Sequence, residues 1–135
     1  MALDIQQHER EGVVILDLNG RLTVGSEASA FREKIAALIA AGTRNIVLNM
    51  ERVDYIDSTG LGAVVMSATS ARRQGGTVKL VNLTRRNIEL LVMTKLATVF
   101  EIFTDVQDAV NSFYPDRKLK TFDILDFVQQ MKKEE

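Results

Sequence analysis

Three apolar, largely β-branched runs, each joined to the next by a segment of helical period, constrain this chain more than any other feature. The first is Val13-Val14-Ile15-Leu16-Asp17-Leu18, the second spans Arg44 to Met50, and the third spans Thr77 to Leu83. Between the first two, Ala30, Phe31, Ile35, Leu38 and Ile39 recur at helical spacing, and between the second and third, Leu61, Val64, Val65, Ala68 and Ala71 do the same. A strand that passes through a helix into another strand is a βαβ crossover, which makes the strands parallel and lays the helix on the sheet. The near-continuous apolar character of the second run suits a strand in the middle of such a sheet.

The remaining segments extend this plan. Leu3 to His8 alternates weakly and predicts a first strand, joined to the second by the charged turn Glu9-Arg10-Glu11-Gly12, so the two form a hairpin. Asn19-Gly20 reads as the end of the second strand. Ser26 reads as the N-cap of the helix that follows, with Glu27 favoured by the dipole, and Gly42 stops that helix. Arg72 and Arg73 suit the last turn of the next helix, which Gly75-Gly76 ends as a simple turn. Thr84 caps a short helix carrying Ile88, Leu91 and Val92. A last strand falls within Leu96 to Phe103, centred on Phe100–Phe103, and Asp105 caps a helix with Val106, Ala109, Val110 and Phe113. The class is α/β: a small mixed sheet with helices packed on it.

Pro115 is the only proline and breaks the pattern. It divides a domain over 1–114 from a C-terminal extension over 115–135, in which a polar connector leads to Thr121 as a cap. Ile124, Phe127, Val128 and Met131 then form the stripe of a final helix. That stripe docks on its own domain or supplies a contact to a partner or to a second copy in a homodimer, because a helix this short is marginal alone.

Composition closes off several functions. The 135 residues carry 17 basic and 18 acidic side chains, for a net charge of −1, so there is no electrostatic case for nucleic acid. The absence of cysteine removes disulfides, thiol nucleophiles and thiolate metal sites together. No apolar run approaches the ~20 residues that span a bilayer, and Met1 to Ile5 lacks the pattern of a secretory signal, so the expected location is the cytoplasm. His8 is the lone histidine and reads as plain surface.

The chemistry concentrates in Asp54-Tyr55-Ile56-Asp57-Ser58-Thr59-Gly60-Leu61-Gly62, between the second apolar run and its helix. Ser58 falls at or next to the helix N-cap, where Asp and Ser side chains accept otherwise unpaired backbone N–H groups. Gly60 and Gly62 lie in the first turn, where a glycine lets a second backbone or a partner come close. By pattern alone the stretch also reads as a cap followed by small packing residues. Asp54 and Asp57 are three apart but have no third ligand in the loop, so no metal and no cofactor is expected. Ser58 lacks both the G-x-S-x-G elbow and a following histidine, which argues against a hydrolase. Gly60-Leu61-Gly62 lacks the third glycine of a dinucleotide fingerprint. The expectation is a protein that is not an enzyme.

The sequence D-S-T-G-L-G after a strand, with Gly75-Gly76-Thr77-Val78-Lys79-Leu80-Val81-Asn82-Leu83 behind it, resembles the STAS family, which comprises anti-sigma factor antagonists and the related domain of sulfate transporters. The resemblance covers about Ile5 to Phe113. It implies a small sheet with helices mainly on one side. It also implies that Ser58 is the residue phosphorylated by a partner kinase. The partner would be an anti-sigma factor, often itself a serine kinase, bound when Ser58 is unmodified and released when it is phosphorylated. Asp54, Asp57, Thr59, Gly60 and Gly62 then flank the acceptor as partner-binding residues. Many family antagonists carry an aspartate after the leucine of the loop following the second strand; here Arg21-Leu22 is followed by Thr23, which takes that place in the partner surface. The alternative within the same family is an interaction scaffold in a stress-signalling or transporter-associated complex, which the C-terminal extension favours.

Overall fold

The computed structural model describes residues 3–117 and 124–134. In chain order the elements are β1 (Asp4–Arg10), β2 (Val13–Leu22), α1 (Ser26–Ala40), β3 (Asn45–Ile56), α2 (Ser58–Arg73), β4 (Thr77–Val81), α3 (Arg85–Met93), β5 (Ile102–Phe103), α4 (Val106–Asn111) and α5 (Ile124–Glu134). The five strands form one sheet in sequence order. β1 and β2 are antiparallel, and β2, β3, β4 and β5 are mutually parallel, so the mixed sheet expected from the crossovers is present. The β1–β2 hairpin closes through Glu11 and Gly12, both at positive φ (52° and 82°), the backbone sense that matches strand twist in a two-residue loop.

The pleat divides the core in two. Val14, Leu16 and Leu18 of β2, Ile46 and Leu48 of β3, and Leu80 of β4 face a large cluster with Phe31 and Ile35 of α1, Leu61 and Val64 of α2, and Ile88 and Leu91 of α3. The alternate residues Val13, Ile15, Val47 and Val81 join Phe103, Ala109 and Val110 in a smaller cluster under α4. Three helices thus lie on one face and the short α4 on the other. Ile124 of α5 is buried in the larger cluster and Phe127 packs against it, so the tail stripe engages its own domain at these two residues. Thr121 lies outside the described residues.

Helix ends follow local chemistry. Thr84 and Asp105 cap α3 and α4 by accepting from the N–H of Asn87 (3.2 Å) and Asp108 (3.1 Å). Gly42 (φ 95°) ends α1 with the Thr43 N–H returned to the Leu38 carbonyl at 2.9 Å, a left-handed C-terminal turn. Four sequence expectations are corrected. Asn19-Gly20 does not end β2; after shifts of register around Gly20 (φ 123°) the strand pairs with β3 as far as Leu22–Ile56. Ser26 is not the cap of α1: Gly25 occupies that position, with no side-chain cap, and the Ser26 hydroxyl donates to the Glu27 carboxylate instead. The last strand is confined to Ile102–Phe103. Gly76 is more than a turn residue, since a Cβ there would stand 2.5 Å from the Arg44 carbonyl oxygen.

Candidate functional site

The site forms at the C-terminal ends of β2 and β3, where the loops into α1 and α2 lie side by side. Asp57 is the N-cap of α2, in extended conformation, so Ser58 is the first helical residue rather than the cap. Asp57 Oδ1 accepts from the Gly60 N–H at 2.7 Å and Oδ2 from the Val24 N–H at 2.9 Å. One carboxylate therefore both caps α2 and holds the 23–25 loop against it. These N–H donors, the Gly60 bond first and the Val24 bond next, hold the Asp57 carboxyl below the usual aspartate range. The Asp57 N–H in turn donates to the Leu22 carbonyl at 3.3 Å.

Gly60 explains how the two loops come so close. It is buried, and a Cβ on it would stand 1.8 Å from the Leu22 carbonyl oxygen and 2.6 Å from the carbonyl carbon. Only glycine admits β2 at that distance. Gly62 is different: it is exposed, and among the described residues nothing outside its immediate neighbours and its own helix backbone lies within 4 Å of a Cβ placed there. Its missing side chain leaves the surface open on the solvent side.

Because Asp57 takes the cap, the Ser58 hydroxyl is left exposed, with no hydrogen-bond partner among the described residues. Thr59 and Asp54 are exposed beside it, and Thr23 is half-buried, its carbonyl accepting from the Ala28 N–H at 3.0 Å. Ser58, Gly62 and Met66 follow at i, i+4 and i+8 and form one solvent-facing strip of α2. The structure thus brings Thr23, Asp57, Ser58, Thr59 and Gly60 together, with Asp54 and Gly62 at the margins.

Sequence reasoning missed two apolar groups at this end of the domain, Val24 (66 % exposed) and Tyr55, whose ring lies under the Arg86 guanidinium at 4.8 Å, and a third, Met66 (62 %), about two turns further along α2. No pattern marks them, because a single exposed apolar residue is ordinary until the fold groups several. Among the described residues no cluster of three or more His, Asp or Glu could hold a metal ion, and no helix is long and apolar enough to cross a membrane.

This sheet and this strand–cap–helix junction define a STAS domain, and the chain belongs to that family: the STAS domain model matches residues 4–109. Among named relatives, the anti-sigma-B factor antagonist of Bacillus subtilis is 34 % identical over 100 residues, which is 74 % of this chain and 88 % of the relative. A Thermotoga maritima crystal structure, provisionally assigned as an anti-sigma factor antagonist, superposes with a TM-score of 0.75 at 26 % identity, covering 80 % of this chain and 92 % of that one. The phosphorylated form of the Bacillus cell-fate determinant SpoIIAA shares the fold, with a TM-score of 0.65 at 21 % identity, over 82 % and 99 % of the two chains.

Proposed function

We propose that this protein is an anti-sigma factor antagonist whose hold on its anti-sigma partner is switched by phosphorylation of Ser58, the partner or an associated protein being the serine kinase. The observation that carries the reading is the division of labour at the start of α2. Asp57 caps the helix and clamps the neighbouring loop, so the Ser58 hydroxyl is free to be modified without loss of a structural bond. The Bacillus subtilis relative is an anti-sigma-B factor antagonist, and one related fold has been solved in phosphorylated form.

The physics of such a switch is local. A phosphate adds a charge of about −1.5 to −2 at a helix N-terminus, where the dipole tolerates it and the domain stays folded. On the partner's side the same charge arrives beside Asp54 and Asp57 on a surface whose other exposed residues are apolar or neutral: Val24, Thr59 and Gly62. Near a protein surface two like unit charges at ~4 Å repel by about 4 kcal/mol, and 1.4 kcal/mol is already tenfold in affinity. The protein acts by binding and is the kinase's substrate; its own residues catalyse nothing in this scheme. Sigma-factor control places it in the cytoplasm.

Calorimetric titration of the parent, Ser58→Ala and Ser58→Asp proteins against the anti-sigma partner tests this. The parent and Ser58→Ala should bind alike, and Ser58→Asp should bind at least about tenfold more weakly with an unchanged melting curve. Equal affinity for all three refutes the switch.

A further inference from the structure

At the opposite end of the same helical face, α1 and α2 leave an open cleft of about 660 Å³. Its apolar lining comes from Met66 of α2, which is 62 % exposed, and from half-buried Ile39 of α1, with buried Ile35 at its floor. Arg32, Arg44 and Arg73 line it as well, and no aspartate or glutamate does. All three arginines are exposed, and among the described residues none forms an ion pair: the four pairs found involve other basic groups. Among the described residues the Arg44 guanidinium donates only to the adjacent Thr43 carbonyl, at 3.2 Å. In a chain of net charge −1, three unpaired guanidinium groups around one apolar cleft are a local excess of positive charge.

We infer that this cleft is a second docking surface, separate from the Ser58 junction, and that its occupant is an acidic amphipathic helix of a partner protein. The lining is long enough to seat a short helix. The lining spans 32–44 on the α1 side and 66–74 on the α2 side. Eight residues of helix at 1.5 Å each make it about 12 Å long, a little over two turns. Apolar anchors of an incoming helix at i, i+3 and i+4 would fill the space over Ile35, Ile39 and Met66, as in other helix-in-groove contacts. Carboxylates on its flanks would meet Arg32, Arg44 and Arg73, whose planar donors suit bidentate pairing. Met66 also ends the Ser58–Gly62–Met66 strip, so a partner seated at the Ser58 junction could extend a helix into the cleft. Occupancy of the cleft does not depend on phosphorylation.

The test uses the full chain with an isotope label and two stapled helical peptides, each with leucines on one face, one flanked by glutamates and the other by lysines. The acidic peptide should bind saturably, shift the amide signals of 32–44 and 66–74, and weaken as salt rises; the basic peptide should not bind. The Arg32→Glu/Arg73→Glu protein should lose at least about tenfold in affinity for the acidic peptide while melting as the parent does. Met66→Glu gives an independent check and should weaken binding likewise. The same titration on Ser58→Asp should give the parent's affinity, so this result stands whether or not the switch at Ser58 holds. Equal binding of both peptides, shifts confined to 54–62, or unchanged affinity in the arginine variants overturns the inference. So does light scattering that shows the cleft occupied by a second copy of the chain, or decanoate that displaces the peptide and reproduces its shifts.

Discussion

Replacing Gly60 with alanine probes the one contact on which the geometry of the site rests. A Cβ there would lie 1.8 Å from the Leu22 carbonyl oxygen and 3.1 Å from the Leu22 side chain. An ordinary carbon–oxygen contact is about 3.3 Å, so the start of α2 and the end of β2 must separate by roughly 1.5 Å. Neither side is a flexible side-chain tip. β2 is paired to β3 as far as Leu22–Ile56, and the first turn of α2 carries buried Leu61. A shift of that size would stretch the Asp57 bonds to Gly60 (2.7 Å) and Val24 (2.9 Å) beyond hydrogen-bond range. Overpacking of this kind costs about 1–3 kcal/mol and sometimes more, and the loss falls at the upper end here. For a domain of this size about 3 kcal/mol lowers Tm by about 10 °C. Gly62→Ala is the internal control. It sits two residues away in the same helix, meets nothing within 4 Å, and should gain up to ~1 kcal/mol from helix propensity. Thermal melts followed by circular dichroism should therefore move in opposite directions for the two variants. A Gly60→Ala protein that melts within a degree or two of the parent refutes the close approach, and a Gly62→Ala protein as damaged as Gly60→Ala refutes the distinction between them.

Other consequences follow from neighbouring contacts. Because its carboxyl is held below the usual range in the folded state, Asp57 contributes stability that is fully present above the ordinary aspartate value and is lost as pH falls through the depressed one; Asp57→Asn should lower Tm at neutral pH and flatten its decline toward about pH 3. Lys79 is buried under α4 with Nζ 2.7 Å from Glu101, 2.8 Å from the Ser112 hydroxyl and 4.3 Å from the Phe113 ring centre. Lys79→Met should cost about 1–2 kcal/mol in urea unfolding, since exposed Glu101 can rehydrate when its partner is removed. A chain ending at Phe113 should fold cooperatively but melt lower, because the burial of Ile124 and Phe127 is lost; failure to fold would place α5 within the domain proper, and identical melting and light scattering would make it a free appendage.

The parts of the fold legible in the sequence are those that local chemistry decides. Crossover order, the caps at Thr84 and Asp105, and the stops at Gly42 and Gly75 rest on period and on single-residue preferences, and each appears as expected. What was not legible depends on distant partners. β2 runs past Asn19-Gly20 because β3 remains beside it to Ile56, and the bulge at Gly20 absorbs the change of register. Ser26 loses the cap to Gly25, whose φ of 105° suits glycine and leaves no side chain to bond. Periodicity marked α4 as amphipathic but could not say which face of the sheet it would cover, and so gave no reason for Lys79 in an otherwise apolar strand. At the site, Ser58 and its neighbours were visible as a set. The double role of Asp57 was not, because one of its two partners, Val24, is 33 positions earlier in the chain.

The measurement that bears most directly on the central claim is the position of phosphate after incubation of the full chain with its partner kinase, ATP and magnesium, read by peptide mass spectrometry on the parent and on Ser58→Ala. Stoichiometric phosphate is expected on Ser58 in the parent and none in the variant. Phosphate on Thr59 or Ser67 with Ser58 unmodified, or equal incorporation into the Ser58→Ala protein, would contradict it.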